Sequence, residues 1–298
     1  MITPDHGGSH AGGPIASGTS STGNLGLRVA SAVVLAPVVL VITYVGGWPF
    51  SALCAAAAAG ILWEWMHLVT GKVVPGTLGP GLGALLAAFV LAGLNHPFGA
   101  AIAIALGALL AGTVGGAQSH REARAGVSAW AAGGMVYAGV AFISPVLLRR
   151  DPSLGLTALL FVLATVWSTD ILAFFGGKAV GGPLLWPSVS PKKTWAGVLA
   201  GLAGGVAGGA AVAYASGIDK LGTAGIMALL LSVLAQAGDL LESAVKRHFG
   251  AKDASGLIPG HGGLMDRLDG FVAAAFAALV IGMLRRGMDA PALGLLVW

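Results

Sequence analysis

Charge is scarce in this chain: 9% of its 298 residues are Asp, Glu, Lys or Arg, against 56% hydrophobic, and the mean hydropathy is +0.86. A soluble globular surface needs roughly a quarter of its residues charged, so that class is excluded and a membrane protein remains. Cysteine is nearly absent too. The one cysteine, Cys54, lies in an apolar run, which rules out a disulfide framework and a cysteine-based zinc site. No basic stretch is long or interleaved with aromatics, so the net charge of +4 does not point to nucleic acid. No internal repeat of fixed period is visible. Glycine, by contrast, is plentiful. The 49 glycines show no three-residue period and sit inside Ala/Leu/Val runs, as close helix packing in lipid permits.

At ~20 apolar residues per span, the hydrophobic runs divide into about nine membrane helices: 27–45, 49–69, 77–95, 98–116, 127–148, 154–175, 195–217, 221–241 and 268–286. The expected fold is an all-α polytopic integral membrane protein. Residues 1–26, rich in Gly, Ser, Thr and His, read as a flexible tail with His6 and His10 solvated. No basic n-region precedes the first run, which is expected to stay as a span rather than be removed as a signal peptide. With the amino terminus inside, the inner segments hold eleven basic residues and the outer ones five (Arg149, Arg150, Lys220, Arg285 and Arg286). That asymmetry favours an inside amino terminus and an outside carboxyl terminus. Trp48, Trp186, Trp195 and Trp298 fall near span ends, where an aromatic belt belongs.

The few charges are where the information concentrates. Six of the twelve acidic residues, Asp170, Asp239, Glu242, Asp253, Asp266 and Asp269, fall in or beside the last two inner loops. Asp170 and Asp239 lie within apolar runs, where a carboxylate facing lipid is costly, so they should face protein, water or a cation. Asp266 and Asp269, three apart on one helical face, sit about 5–6 Å from one another and repel unless a cation or shared proton intervenes. Beside Lys192, Lys193, Lys246, Arg247, Lys252 and Arg267, these carboxylates suit a hard-cation site that also receives phosphates. The alternative is interfacial charges that pair with basic neighbours. Gly260-His261-Gly262-Gly263 reads either as a phosphate-binding nest or as a tight turn, and Lys252-Asp253 as a site element or an ion pair. Glu64 and His67, three apart in a span, read as a pair inside the bundle, with a lipid-headgroup role as the alternative. His120, Arg121, Glu122 and Arg124 read as a solvated inner loop, and His96 before Pro97 as an interfacial turn.

Ser243, Lys246-Arg247, Lys252-Asp253, Pro259, His261-Gly262-Gly263 and Asp266-Arg267, ending at Asp269, follow one another at fixed spacing. The segment resembles the phosphatidate cytidylyltransferase (CDP-diacylglycerol synthase) family. A second stretch, Ser190-Pro191-Lys192-Lys193-Thr194-Trp195-Ala196-Gly197, is similar to another element of that family, with Ala196 in place of its usual Glu; Gly270 stands where Ser is common. The specific resemblance covers about 167–197 and 236–270.

The resemblance implies transfer of the cytidylyl group from CTP to phosphatidic acid, giving CDP-diacylglycerol and pyrophosphate in phospholipid biosynthesis, with Mg²⁺ required and Mn²⁺ as a substitute. It implies catalytic roles for Asp239, Asp266, Asp269, Lys246, Arg267 and His261. Substrate contacts are expected from Ser190, Lys192, Lys193, Thr194, Ser243, Arg247, Lys252, Asp253, Gly262 and Gly263. Metal ligands are expected from Asp239, Asp266 and Asp269, with Asp170 as a ligand or a group behind one. The implied organisation is a tail (1–26), about five N-terminal membrane helices (27–150) and a C-terminal catalytic membrane region (151–298) with inner loops 176–194 and 242–267. The location implied is a bacterial-type inner membrane, with the amino terminus and active site on the cytoplasmic side. The small-residue face from Gly201 to Gly209 is of a kind that lets two copies pack as a homodimer.

Three other classes fit less well. Asp266-x-x-Asp269-Gly270 matches the opening of the CDP-alcohol phosphotransferase pattern, but Ala274 stands where that pattern needs Arg. A secondary transporter would show broken helices paired between two halves, whereas here the charge crowds into the C-terminal half. A lipid scaffold leaves the long motif unexplained.

Overall fold

The computed structural model describes residues 33–34, 36–71, 75–117, 124–257 and 262–298. The 1–26 tail, the start of the first expected span, His120, Arg121, Glu122, Pro259, Gly260 and His261 lie outside the described residues. Lipid offers the backbone no hydrogen-bond partners, so each apolar run must close its own bonds as a helix. In order these are α1 (Ala36–Val45), α2 (Gly47–Thr70), α3 (Pro75–Gly93), α4 (Pro97–Ala117), α5 (Arg124–Arg149), α6 (Gly155–Val180), α7 (Trp195–Ala215), α8 (Leu221–His248), α9 (Met265–Arg286) and the short α10 (Pro291–Leu296). Among the described residues seven helices are long and apolar enough to cross a membrane; of the nine expected spans, the first and third correspond to shorter apolar helices. Between α6 and α7 lies a two-stranded antiparallel ribbon, β1 (Leu184–Trp186) with β2 (Ser190–Thr194), pairing Leu184 with Thr194 and Trp186 with Ser190. The otherwise all-α expectation did not include it.

Two helices run further than hydropathy indicates. α6 continues to Val180 and α8 to His248, so residues 176–180 and 242–248 are helical rather than parts of loops. On α8 this puts Asp239, Glu242, Ser243 and Lys246 at spacings of three and four, along one face.

One buried cluster joins α2–α5 to Val245, Met265 and Val272 of α8 and α9; a second joins α6, α8, α9 and α10. α6 and α7 form the most extensive helix pair. On α7, Gly201, Gly204 and Gly208 face α6 so closely that an added Cβ would stand 3.0, 2.6 and 2.7 Å from the carbonyls of Thr169, Ser168 and Ala164. The glycine face named for a homodimer is thus occupied within the chain.

At the end of the bundle opposite the motif, three charged side chains bond to backbone groups. Arg149 donates to the carbonyls of Thr43 and Tyr44 at 2.8 Å, holding α5 to α1. Arg285 donates to the Gly294 carbonyl and lies 3.5 Å from the Trp298 ring, holding α9 to the carboxyl terminus. Asp151 accepts from Ser153 and Leu154 at the start of α6 and from Leu293 N–H of α10 at 3.0 Å. Burial alone would push its carboxyl up, but the Ser153 hydroxyl and these backbone N–H groups hold it below the usual carboxylate range.

Candidate active site

At the motif end α8, α9, α6 and β2 bring five carboxylates (Asp170, Asp239, Glu242, Asp266 and Asp269) together with the ammonium groups of Lys193 and Lys246. Three side-chain salt bridges lie in this cluster. Lys193 of β2 pairs with Asp239 of α8. Lys246, 8% exposed, pairs with Glu242 one turn back at 3.0 Å and with Asp266 of α9, tying the two helices together. Asp269 lies beside Glu242, and Asp170 of α6 is within electrostatic reach of Asp239, Asp269 and Lys193. No group of three or more acidic, His or Cys side chains is arranged as a preformed metal cluster among the described residues.

Asp266 is held on both of its carboxylate oxygens. Its Oδ1 receives Lys246, and its Oδ2 accepts from Ala254 N–H at 3.0 Å and Gly263 N–H at 2.9 Å, so most of its acceptor capacity is committed. Gly262 has φ +89°, a conformation that favours glycine, and an added Cβ on Gly263 would stand 2.9 Å from carboxylate oxygens of both Asp266 and Glu64. Gly262 and Gly263 lead into α9, and the Gly263 N–H is given to Asp266.

The remaining expected residues divide between cluster and rim. Thr194 is the N-cap of α7: its hydroxyl oxygen accepts from Gly197 N–H at 3.1 Å. Ser243 reaches Asp239 only at 3.5 Å, and Ser190 is half-buried in β2. Lys192, Arg247, Lys252, Asp253 and Arg267 are exposed at the rim, where Arg247 donates to the Ala251 carbonyl at 2.7 Å. Lys252 and Asp253 form no ion pair with each other.

Two features escaped the sequence reading. Glu64 is not paired with His67, which stacks on Trp63 at 5.7 Å; its carboxylate instead accepts from Ser255, Leu264 and Met265. Its signal was a lone acid in an apolar span. The second is a cavity of about 410 Å³ between α2, α5 and α8, walled by Trp65, Trp130, Tyr137, Leu241 and Val245 and bordered by Glu242. Its lining is mostly apolar and aromatic, with Glu242 the one charged residue among the described residues there, and no local pattern marks it.

A model described as the cytidylyltransferase family matches residues 26–284. The chain is 40% identical over 268 residues to a phosphatidate cytidylyltransferase of Brucella suis biovar 1 (strain 1330), covering 90% of this chain and 97% of the relative. It is 34% identical over 259 residues to the phosphatidate cytidylyltransferase of Bacillus subtilis (strain 168), covering 82% and 93%. A similarly named protein of Staphylococcus aureus (strain COL) is 37% identical over 143 residues, covering 46% and 52%. These bacterial relatives and the apolar helices agree on a bacterial integral membrane protein. With a family match over most of its length, and two relatives matched over more than nine-tenths of theirs, the chain belongs to the phosphatidate cytidylyltransferase (CDP-diacylglycerol synthase) family and is a nucleotidyltransferase.

Proposed function

We propose that this chain transfers the cytidylyl group of CTP to phosphatidic acid, giving CDP-diacylglycerol and pyrophosphate. The observation that carries the reading is the ionic cluster at one end of an apolar bundle, built from the motif residues of this family. A phosphate oxygen of the lipid forms a bond to the α-phosphorus of CTP. The bond from that phosphorus to the bridging oxygen breaks, and pyrophosphate leaves with the electron pair. Both reactants are anions, so the protein's part is positioning and charge neutralisation rather than a covalent nucleophile.

The rim cations Lys192, Arg247, Lys252 and Arg267, with Lys193 just inside, are the groups to receive the triphosphate and the lipid headgroup. Lysine does so as a point charge and arginine as a bidentate fork. Lys246, engaged by Glu242 and Asp266, holds α8 and α9 in register for them. His261 is assigned a phosphate contact. Five carboxylates around two ammonium groups leave an excess of negative, hard oxygen donors, which fits Mg²⁺, with Mn²⁺ as substitute. Asp239 and Asp269 would hold the ion, joined by the uncommitted lone pairs of Asp266 and by Asp170. When bound it supplies charge neutralisation for the phosphates. The apolar cavity bordering Glu242 suits one acyl chain of phosphatidate, because it opens beside the cluster that would hold the headgroup. By the basic-residue asymmetry the site faces the cytoplasm.

The test is detergent-solubilised protein with labelled CTP, phosphatidic acid and Mg²⁺. Labelled CDP-diacylglycerol and pyrophosphate should appear together, cease on chelation with EDTA and return with added Mg²⁺. Folded protein that yields neither product across several phosphatidates and divalent ions would refute the reaction.

A further inference from the structure

We infer that Glu64, far from the motif in sequence, positions the catalytic segment by clamping Ser255, within the connection from α8 to α9, to the residues that begin α9. The inference rests on the reaction proposed above. Glu64 is 0% exposed on α2, in a helix that hydropathy marks as a span. A carboxylate there is costly unless its oxygens are fully engaged. It is engaged by Ser255 Oγ at 2.5 Å, Leu264 N–H at 2.7 Å and Met265 N–H at 2.6 Å. The first donor lies within the connection that follows α8, and the other two lie where α9 begins.

α9 needs such a partner. Its N-cap, Leu264, makes no side-chain cap, and the first N–H groups of a helix have no acceptor of their own. A carboxylate at that position satisfies them and complements the helix dipole. Asp266 repeats the device one step inward, joining Ala254 N–H to Gly263 N–H. Gly263 lies between the two carboxylates, where an added Cβ would approach each to 2.9 Å. Two acids on different helices thus fix the same pair of chain segments. Asp269 follows Met265 by four residues, one helical turn, so a shift in the start of α9 moves Asp266 and Asp269 together. A residue needed only for packing would be apolar at this depth.

The experiment compares wild type with Glu64→Gln, Glu64→Asp and Ser255→Ala, each checked for folding by gel filtration and thermal melting in detergent. Gln keeps the volume but turns an NH₂ group toward donors, so Leu264 or Met265 loses its acceptor. Folded Glu64→Gln should lose about 10- to 100-fold in kcat, the range that displacement of a catalytic group by about 1 Å produces. The KM for phosphatidate should move by less than about threefold, because the cavity and rim cations are untouched. Amide hydrogen exchange at Leu264 and Met265 should accelerate. Glu64→Asp should recover part of both signals, and Ser255→Ala should show the smaller effect of losing one donor. Wild-type kcat in folded Glu64→Gln overturns the inference, as does a loss of kcat with exchange at Leu264 and Met265 unchanged. Wild-type protein that forms no CDP-diacylglycerol removes the reaction instead, and the exchange comparison then decides the clamp by itself.

Discussion

The two ends of this bundle both carry charge, yet they close it differently. At one end Asp151, Arg149 and Arg285 bond chiefly to backbone groups of neighbouring elements, each joining one helix to another. At the other end Glu64 and Asp266 also accept from backbone N–H groups, but Asp239, Glu242, Lys193 and Lys246 are paired side chain to side chain, and carboxylates outnumber the ammonium groups. Charge matched by fixed backbone partners belongs to the architecture. An unbalanced excess of negative charge, in a chain where charge is so scarce, is what a cationic ligand would complete.

The largest expected break in that contrast comes from Asp239→Asn and Asp269→Asn. Each should lower turnover by about 10³-fold, measured as CDP-diacylglycerol formed per folded protein. Thermal stability should hold in Asp269→Asn, since removing one of several adjacent like charges relieves repulsion, and should fall modestly in Asp239→Asn, which takes the partner of Lys193 away. Lys246→Ala acts on the architecture of the same end. It strips Glu242 and Asp266 of their shared partner and should destabilise by about 3–5 kcal/mol, seen as a lowered Tm in detergent and reduced yield of folded protein.

At the opposite end Asp151→Asn should cost about 1.5–3 kcal/mol of stability through its charged hydrogen bonds, with turnover per folded protein unchanged. Because the folded Asp151 carboxyl titrates below its unfolded value of 3.8, its contribution is present above that pH and is lost as pH falls through the folded value. Melting curves of wild type and Asp151→Asn should therefore converge as pH drops below about 4. The smallest effect sharpens the lipid side. Gly133 borders the apolar cavity with open space where a Cβ would stand, so Gly133→Leu should fold. It should raise the KM for phosphatidate about 10-fold, with the KM for CTP unchanged.

How much of this was legible follows from what a bilayer imposes. Apolar runs must become helices, so their centres were readable, and the start of α9 put Asp266 and Asp269 on one helix as expected. Where polar residues could continue a helix, hydropathy lost the end: it stopped α8 at 241, whereas Glu242 to His248 remain helical and present Lys246 to Asp266. The ribbon at 184–194 was missed because its strands are short and its Ser-Pro-Lys-Lys-Thr sequence has no alternation of apolar and polar residues. Glu64 was visible as an anomaly, but its partners lie about 200 residues away, and helical spacing offered only His67. Local periodicity records which face is buried. It does not record what that face meets.

The most direct measurement sets Asp269→Asn beside Asp151→Asn, following labelled CDP-diacylglycerol per folded protein and Tm on the same preparations. The contrast predicts that Asp269→Asn retains its Tm and loses turnover, while Asp151→Asn loses Tm and retains turnover. Wild-type turnover in Asp269→Asn, or turnover that simply follows Tm in both variants, would contradict it.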